Sequence, residues 1–386
     1  MNTMLMILTT VVFLLCAIAF FYYIFSFWCL WRFFSRPPED KELKQPDSEP
    51  EPVSILKPVQ KLSAIQLENI ASFCVQDYPE YEIVIGTSVS EKEEFQALYS
   101  NLLECPLEVT YTAQNPGPNY KIGNLMTAAS NARHKLLVLS DVDIWAAPDY
   151  LTDVVSCFGK KEAYVVTSLY RIVNITGMCA AFQALGVHGD FIPNVLVAEK
   201  IGRLNFAFGS GIAIHRNTLE AIGGLKSLLP YLADDYQIGY KAATLGYRVV
   251  IAPKLVNHTV NISSWKELWR QQLRWSVTYR VCRPVGYFFS FLTHGVSLAS
   301  FNVLCSGFSL NSLVVWCLMV GVRYGTFFAA NRLWLKNKEL TRYIWFAPLK
   351  DLFSTVIWAA SFLTKKVFWA GRHFRVNRDG TFTEIK

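Results

Sequence analysis

The sequence predicts an α/β domain built on a mostly parallel sheet and bracketed by apolar helices that enter a membrane. Three observations carry this reading. Short β-rich runs alternate with helical segments through the middle of the chain, an uncharged stretch opens it, and a second uncharged stretch of 38 residues follows the middle. Composition agrees: 52% of the 386 residues are hydrophobic and 17% are charged, a charge content low for a soluble protein.

Residues 1–31 carry no charged side chain, and Leu8–Trp31 exceeds the roughly 20 residues needed to cross a bilayer. A basic start, a short apolar core and a small-residue cleavage site would mark a cleaved signal peptide, and all three are missing, so an uncleaved anchor is expected. Residues 32–52 are rich in Pro, Glu, Asp and Lys and read as a linker. VSILK (53–57), EIVIG (82–86), LEVTY (107–111) and KLLVLS (135–140) read as strands, with helices over Leu62–Cys74 and Asn119–Ala132. Strands separated by helices argue for a mostly parallel sheet covered on both faces, with ligands beyond the carboxyl ends of its strands.

The run Val285–Val322 would make one helix of about 57 Å, too long for a bilayer. Two helices turning near Gly307–Ser312 fit better. Tyr343–Leu363 is apolar but holds Lys350 and Asp351, so a re-entrant or interfacial helix competes with a true span. Basic residues at Arg32, Lys41, Lys44, Arg332–Arg342 and Lys365–Arg375 place those segments, and the large middle region, in the cytosol by the positive-inside rule. Nine cysteines without CxxC spacing read as buried small hydrophobes in a reducing compartment. The net charge of +7 gathers beside apolar segments, and no nucleic-acid module motif accompanies it. Six scattered histidines without HExxH argue against a zinc site.

Three constellations carry candidate chemistry. KLLVLS runs directly into Asp141-Val142-Asp143, so a strand delivers two carboxylates to the ligand edge, where hard oxygens suit Mg²⁺ or Mn²⁺ carrying a diphosphate. An ordinary acidic turn is the alternative. Asp234-Asp235 in LADDY sets like charges side by side, which raises one pKa and offers a base, although a helix start would also favour acids. Gln271, Arg274 and Trp275 lie on an amphipathic segment before the second apolar run. There the arginine can hold phosphate oxygens and the indole can pack beneath a sugar, or both can serve as an interfacial anchor. Phe208-Gly209-Ser210-Gly211 lets backbone approach a ligand closely.

Seven segments together resemble inverting glycosyltransferases of families 2 and 21, most closely the ceramide glucosyltransferase group and its bacterial hopanoid-linked relatives. They are ILKPV (55–59), NIASFCVQDYP (69–79), GPNYKIGNLM (117–126), SDVDIWAAPDYL (140–151), FGSGIAIHR (208–216), LADDYQIGY (232–240) and QQLRWSVTYR (271–280). The resemblance implies a GT-A-like nucleotide-diphospho-sugar transferase domain over 53–262 and an interfacial helix over 263–282. A membrane hairpin over 283–331 and a basic loop, membrane segment and cytosolic tail over 332–386 would follow. It implies Asp143 as principal metal ligand, Asp141 on donor or metal, Asp235 as general base, and Gln271, Arg274 and Trp275 holding diphosphate and acceptor region, with Asp234 beside them. A UDP-sugar, glucose or N-acetylglucosamine, would pass to a hopanoid polyol or ceramide on the inner membrane of a bacterium. Polyprenyl-phosphate glycosylation, polysaccharide synthesis and a non-enzymatic membrane scaffold are the rivals. The family's acidic residue after the second strand, which reads uracil and ribose, is replaced here by Gly86-Thr87-Ser88-Val89-Ser90-Glu91.

Overall fold

The computed structural model describes residues 3–35, 50–91, 105–113, 115–161 and 163–385. The linker expected at 32–52 falls mainly on residues 36–49, outside the described residues, as do Lys41 and Lys44.

The four strands read from the sequence form as β1 (Val53–Pro58), β2 (Tyr81–Ser88), β3 (Leu107–Thr112) and β4 (Leu136–Leu139). They pair in parallel, β1 with β2 and β4, and β2 with β3. After β5 (Ile144–Trp145) come β6 (Ala163–Thr167), β7 (Tyr170–Val173), β8 (Ile212–His215), β9 (Arg248–Ile251) and β10 (Val256–Thr259). The main sheet has the order β3-β2-β1-β4-β8-β6-β9. It is mixed, because β8 runs antiparallel to both β4 and β6. The loop that enters β8 lies where β4 ends, with the Asp141 N–H donating to the Gly209 carbonyl at 3.1 Å. A strand that begins there has to run back along β4.

Side chains alternate across the sheet as the pleat requires. Leu56, Val84 and Leu137 pack on one face in the same core as Ile122 and Leu125 of the helix Tyr120–Asn131. Ile55, Ile83 and Val138 face the other way, with Ile70 and Phe73 of the helix Ala64–Phe73. Both faces are covered, so β1 and β4 are buried along their whole length.

Cys74 and Cys105 are joined in a disulfide across 31 residues, which corrects the reading of every cysteine as a free buried hydrophobe. Cys74 closes the helix before β2 and Cys105 stands two residues before β3. Neighbouring strands thus bring their Cα atoms to 5.1 Å, within bridging distance. The other seven cysteines are free. Cysteine usage therefore gives no argument for a reducing compartment.

Among the described residues three helices are long and apolar enough to cross a bilayer: Met4–Phe34, Leu310–Leu335 and Ile344–Leu363, with mean hydropathies of 2.8, 1.7 and 1.2. The expected turn near 307–312 is present, with Gly307 and Phe308 both at positive φ. Pro284–Thr293 and Gly295–Cys305 meet at a 63° bend, so this pair forms either one broken span or a re-entrant loop.

Lys350 and Asp351 do not interrupt the last long helix, because both are buried and paired. Arg323 grips Asp351 with two hydrogen bonds of 2.9 and 2.8 Å, and Lys350 stands 3.0 Å from the same carboxylate. Asp190 accepts from both Arg323 and Lys350, and Arg323 also donates to the Gly189 carbonyl at 2.8 Å. Gly189 cannot carry a side chain, since a Cβ there would overlap the Phe327 ring. This cluster ties the α/β domain to its membrane helices. Arg323→Met is expected to destabilise the protein by about 3–5 kcal/mol, the usual result of leaving buried charges unpartnered. An unchanged thermal midpoint in detergent would contradict that role.

The chain ends in a three-stranded sheet, β11 (Lys366–Trp369), β12 (Arg372–Val376) and β13 (Phe382–Glu384), where only a tail and basic residues stood out in the sequence. Val367, Phe374, Val376 and Phe382 form one apolar cluster with Leu232 and Val277. The sheet therefore holds the Leu232–Asp235 loop against the helix Trp265–Cys282.

Candidate functional site

The Asp141-Val142-Asp143 turn leaves β4 at the carboxyl edge of the sheet and is fixed from below. Asn69 donates to the Val142 carbonyl at 3.2 Å and to Thr259 at 2.8 Å. Immediately after it, β5 pairs antiparallel with β10, setting Ile144 opposite His258. That small second sheet carries the His258 ring to 2.9 Å from the Asp143 carboxylate. Burial works against ionisation of Asp143, yet His258 holds it below the ordinary carboxylate value.

Asp141 has a different partner. Lys121, in the first turn of the helix capped by Asn119, reaches Asp141 at 2.8 Å and Asp234 at 3.1 Å. Burial raises the Asp141 pKa to about 6 despite that lysine. Lys121 itself stays charged: burial opposes its proton, but Asp141, Asp234 and Asp235 outweigh it.

Asp234 and Asp235 open the helix Asp234–Thr244. Asp234 also accepts from Asn119 at 3.3 Å. Asp235 accepts from the backbone N–H groups of Gly209 and Tyr236, at 2.9 and 2.8 Å. Burial first, and the neighbouring Asp234 second, raise the Asp235 pKa. Gly209 joins the two acidic motifs: its carbonyl takes the Asp141 N–H and its N–H reaches Asp235. A Cβ there would stand 2.6 Å from an Asp141 oxygen, so a larger residue would push the Asp141 carboxylate from its place.

The helix Trp265–Cys282 carries Gln271, Arg274 and Trp275, and begins at Ser264, which accepts from the Glu267 N–H. Burial lowers the Arg274 pKa while Asp235, Asp141 and Asp234 oppose that shift, so the guanidinium lies in the field of these carboxylates. The Gln271 amide oxygen is buried without a partner. All seven residues singled out from the sequence, Asp141, Asp143, Asp234, Asp235, Gln271, Arg274 and Trp275, line one cavity of about 1250 Å³. The same cavity runs past Thr293, His294 and Trp358 of the membrane elements and under the turn Trp369-Ala370-Gly371 of the terminal sheet.

Sequence reasoning passed over Lys121, His258 and the terminal sheet. Lys121 was legible only as one letter of GPNYKIGNLM, and His258 as an isolated histidine. A further buried lysine, Lys57, lies under the site. It donates to the Asp141 carbonyl at 3.1 Å and stands 3.6 Å from the Phe73 ring centre, and burial lowers its pKa to about 7. Ser88 and Ser90, in the region of the missing acid, hydrogen-bond each other at 2.9 Å.

The donor set can be tested against a divalent ion. Among the described residues no three His, Cys, Asp or Glu side chains form a ready cage. Asp143 and His258 nevertheless put a carboxylate and an imidazole together on the cavity wall, and the buried His258 Nδ1 has no partner. A Mg²⁺-type ion is usually held by one or two carboxylates together with substrate phosphates and waters rather than by an all-protein cage. The residues fit an ion of that kind.

Comparison with known proteins places this geometry. The match to two curated Caenorhabditis elegans proteins is at 25% identity: ceramide glucosyltransferase 3 over 81% of this chain and 67% of that one, and ceramide glucosyltransferase 1 over 54% and 47%. Among solved structures, the mannosyltransferase PcManGT from Pyrobaculum calidifontis, in complex with GDP-Man and Mn²⁺, superposes with a TM-score of 0.51. The identity is 17%, covering 90% of this chain and 98% of that one, a likeness of fold. The α/β domain thus has the fold of GT-A-like nucleotide-sugar transferases, and the long apolar helices make this a multi-pass membrane protein. The family model for glycosyl transferase family 21 matches residues 11–382, and the chain belongs to that family of glycosyltransferases.

Proposed function

We propose that this enzyme transfers a hexose, glucose or N-acetylglucosamine, from a UDP-sugar to the primary hydroxyl of a membrane lipid, with inversion at the anomeric carbon. The observation that carries the reading is the continuity of the cavity. Its polar end holds four carboxylates, Lys121 and Arg274, and its other end is walled by Thr293, His294 and Trp358. A soluble donor and an amphiphilic acceptor can meet there without either leaving its own medium.

In this reading the acceptor hydroxyl attacks the anomeric carbon as the bond to the diphosphate breaks, and its proton passes to Asp235. Asp235 suits that role because burial and Asp234 raise its proton affinity, while two backbone N–H groups fix its orientation. Arg274 and Lys121 hold the charge that gathers on the departing UDP. Asp143, His258 and Asp141 would hold Mg²⁺ or Mn²⁺, which would supply further charge stabilisation at the diphosphate. Ceramide and a hopanoid polyol are the two acceptors that fit. The names of the two relatives support the first. The catalytic side faces the cytosol, a placement that rests on the basic flanks alone.

The test is incubation of the purified protein in lipid nanodiscs with labelled UDP-glucose or UDP-N-acetylglucosamine and each acceptor, followed by mass spectrometry. A monoglycosylated lipid is the expected product. A polymer, or transfer to polyprenyl phosphate alone, would contradict the proposal.

A further inference from the structure

The wall of the cavity nearest the membrane helices contains a polar group that the transfer step does not use. Met178–Gly186, the π-turn Val187–Phe191 and Ile192–Ile201 follow one another as one rod. Gln183, Val187, Asp190 and Asn194 recur along it every three or four residues and all line the cavity, so one face of the rod forms its wall. π-turns of this kind recur at functional sites.

On that face two of the three polar residues are already engaged. Asp190 holds Arg323 and Lys350, and Asn194 accepts from the Tyr22 hydroxyl. Gln183 is the exception. Its side chain is wholly buried, and neither its amide oxygen nor its amide nitrogen has a hydrogen-bond partner. An unmade buried amide is unusual and calls for an explanation. Its neighbours leave no slack for a slipped rotamer of the rod, because Phe182 packs edge-on against Trp265 and Phe353 while Ala180, Ala181 and Ala184 are sealed in the core. Gln183 also borders the cavity, which gives a bound molecule a route to its unpaired amide.

We propose that Gln183 reads the headgroup of the acceptor lipid, pairing its carboxamide with a group beside the reacting hydroxyl that both donates and accepts a hydrogen bond. An N-acyl amide and a neighbouring hydroxyl share that chemistry, and an ester lacks the donor. This rests on the lipid-acceptor reading and extends it to the choice of lipid. A site built to hydrogen-bond a substrate N–H or O–H discriminates strongly against an analogue without it, because its own polar groups are then left unpaired.

The experiment compares wild type with Gln183→Met, which keeps length and volume but loses both polar atoms. Three acceptors are offered in nanodiscs: ceramide, a hopanoid polyol and 1,2-diacylglycerol, which has a primary hydroxyl flanked only by esters. Wild type is expected to prefer the lipids carrying a donor. Gln183→Met should lower kcat/KM for the preferred lipid at least about tenfold, mainly through KM, and leave diacylglycerol unchanged. Which of the first two loses more tells whether an amide or a hydroxyl is read. UDP binding and the thermal midpoint should not move. Equal losses on all three lipids, or no loss on any, would overturn the proposal in favour of a structural role or a buried water partner. Absence of product from wild type on every lipid would sink the lipid-acceptor reading itself, and this inference with it.

Discussion

Asp235→Asn is expected to slow product formation by about 10²–10⁴-fold, the range for losing a proton-transfer group, with little change in UDP-sugar affinity. The substitution keeps the size of the side chain and an oxygen that can still accept from Gly209 or Tyr236, so the loop should hold. What is lost is a carboxylate able to take the acceptor's proton. Donor affinity should survive because Arg274 and Lys121, the groups proposed to hold the diphosphate, are untouched. Asp234→Asn should cost less at the chemical step, since Asp234 is spent on Lys121 and Asn119. Donor titration beside single-turnover transfer separates the two. If Asp235→Asn transfers at near wild-type rate, or if its whole defect is lost UDP affinity, the base is misassigned and Asp234 takes its place.

The second large loss is expected at Asp143. Asp143→Ala should lower transfer by about 100-fold or more while membrane insertion stays intact, because the side chain stands on the cavity wall, away from the membrane helices. The same change should abolish Mn²⁺ binding measured by electron paramagnetic resonance. His258→Ala should weaken that binding too, since the ring is the other group on the same wall. Near-normal turnover of wild type in EDTA would contradict metal use altogether.

The sheet and both acidic motifs could be read because they rest on local patterns. β1, β2, β3 and β4 are compact β-rich runs, and an apolar strand ending in two acids places both at a carboxyl edge. β8 could not be read as antiparallel. Three of its four residues are as buried as those of β4, and direction is set by where the preceding loop lies rather than by any residue within the strand. His258 and Lys121 escaped for a related reason. Each reaches its carboxylate through pairing or helix placement that joins distant segments, residue 144 to 258 in one case and 121 to 141 and 234 in the other. The disulfide depends on the adjacency of β2 and β3, which the spacing of Cys74 and Cys105 does not reveal. The partners of Lys350 and Asp351, Arg323 and Asp190, lie on other elements, so the pairing that lets both charges sit within an apolar helix is not visible in the segment itself. The bend at His294 falls within a run that composition alone makes uniformly apolar.

The central claim is a single in-line displacement with Asp235 as base and no covalent sugar-enzyme intermediate. The anomeric configuration of the product tests it most directly. Proton NMR of the glycolipid made from an α-linked UDP-sugar should show a β linkage, with the large H1–H2 coupling of an axial pair. An α-linked product would mean retention, and Asp235 could not then be the base of a single displacement.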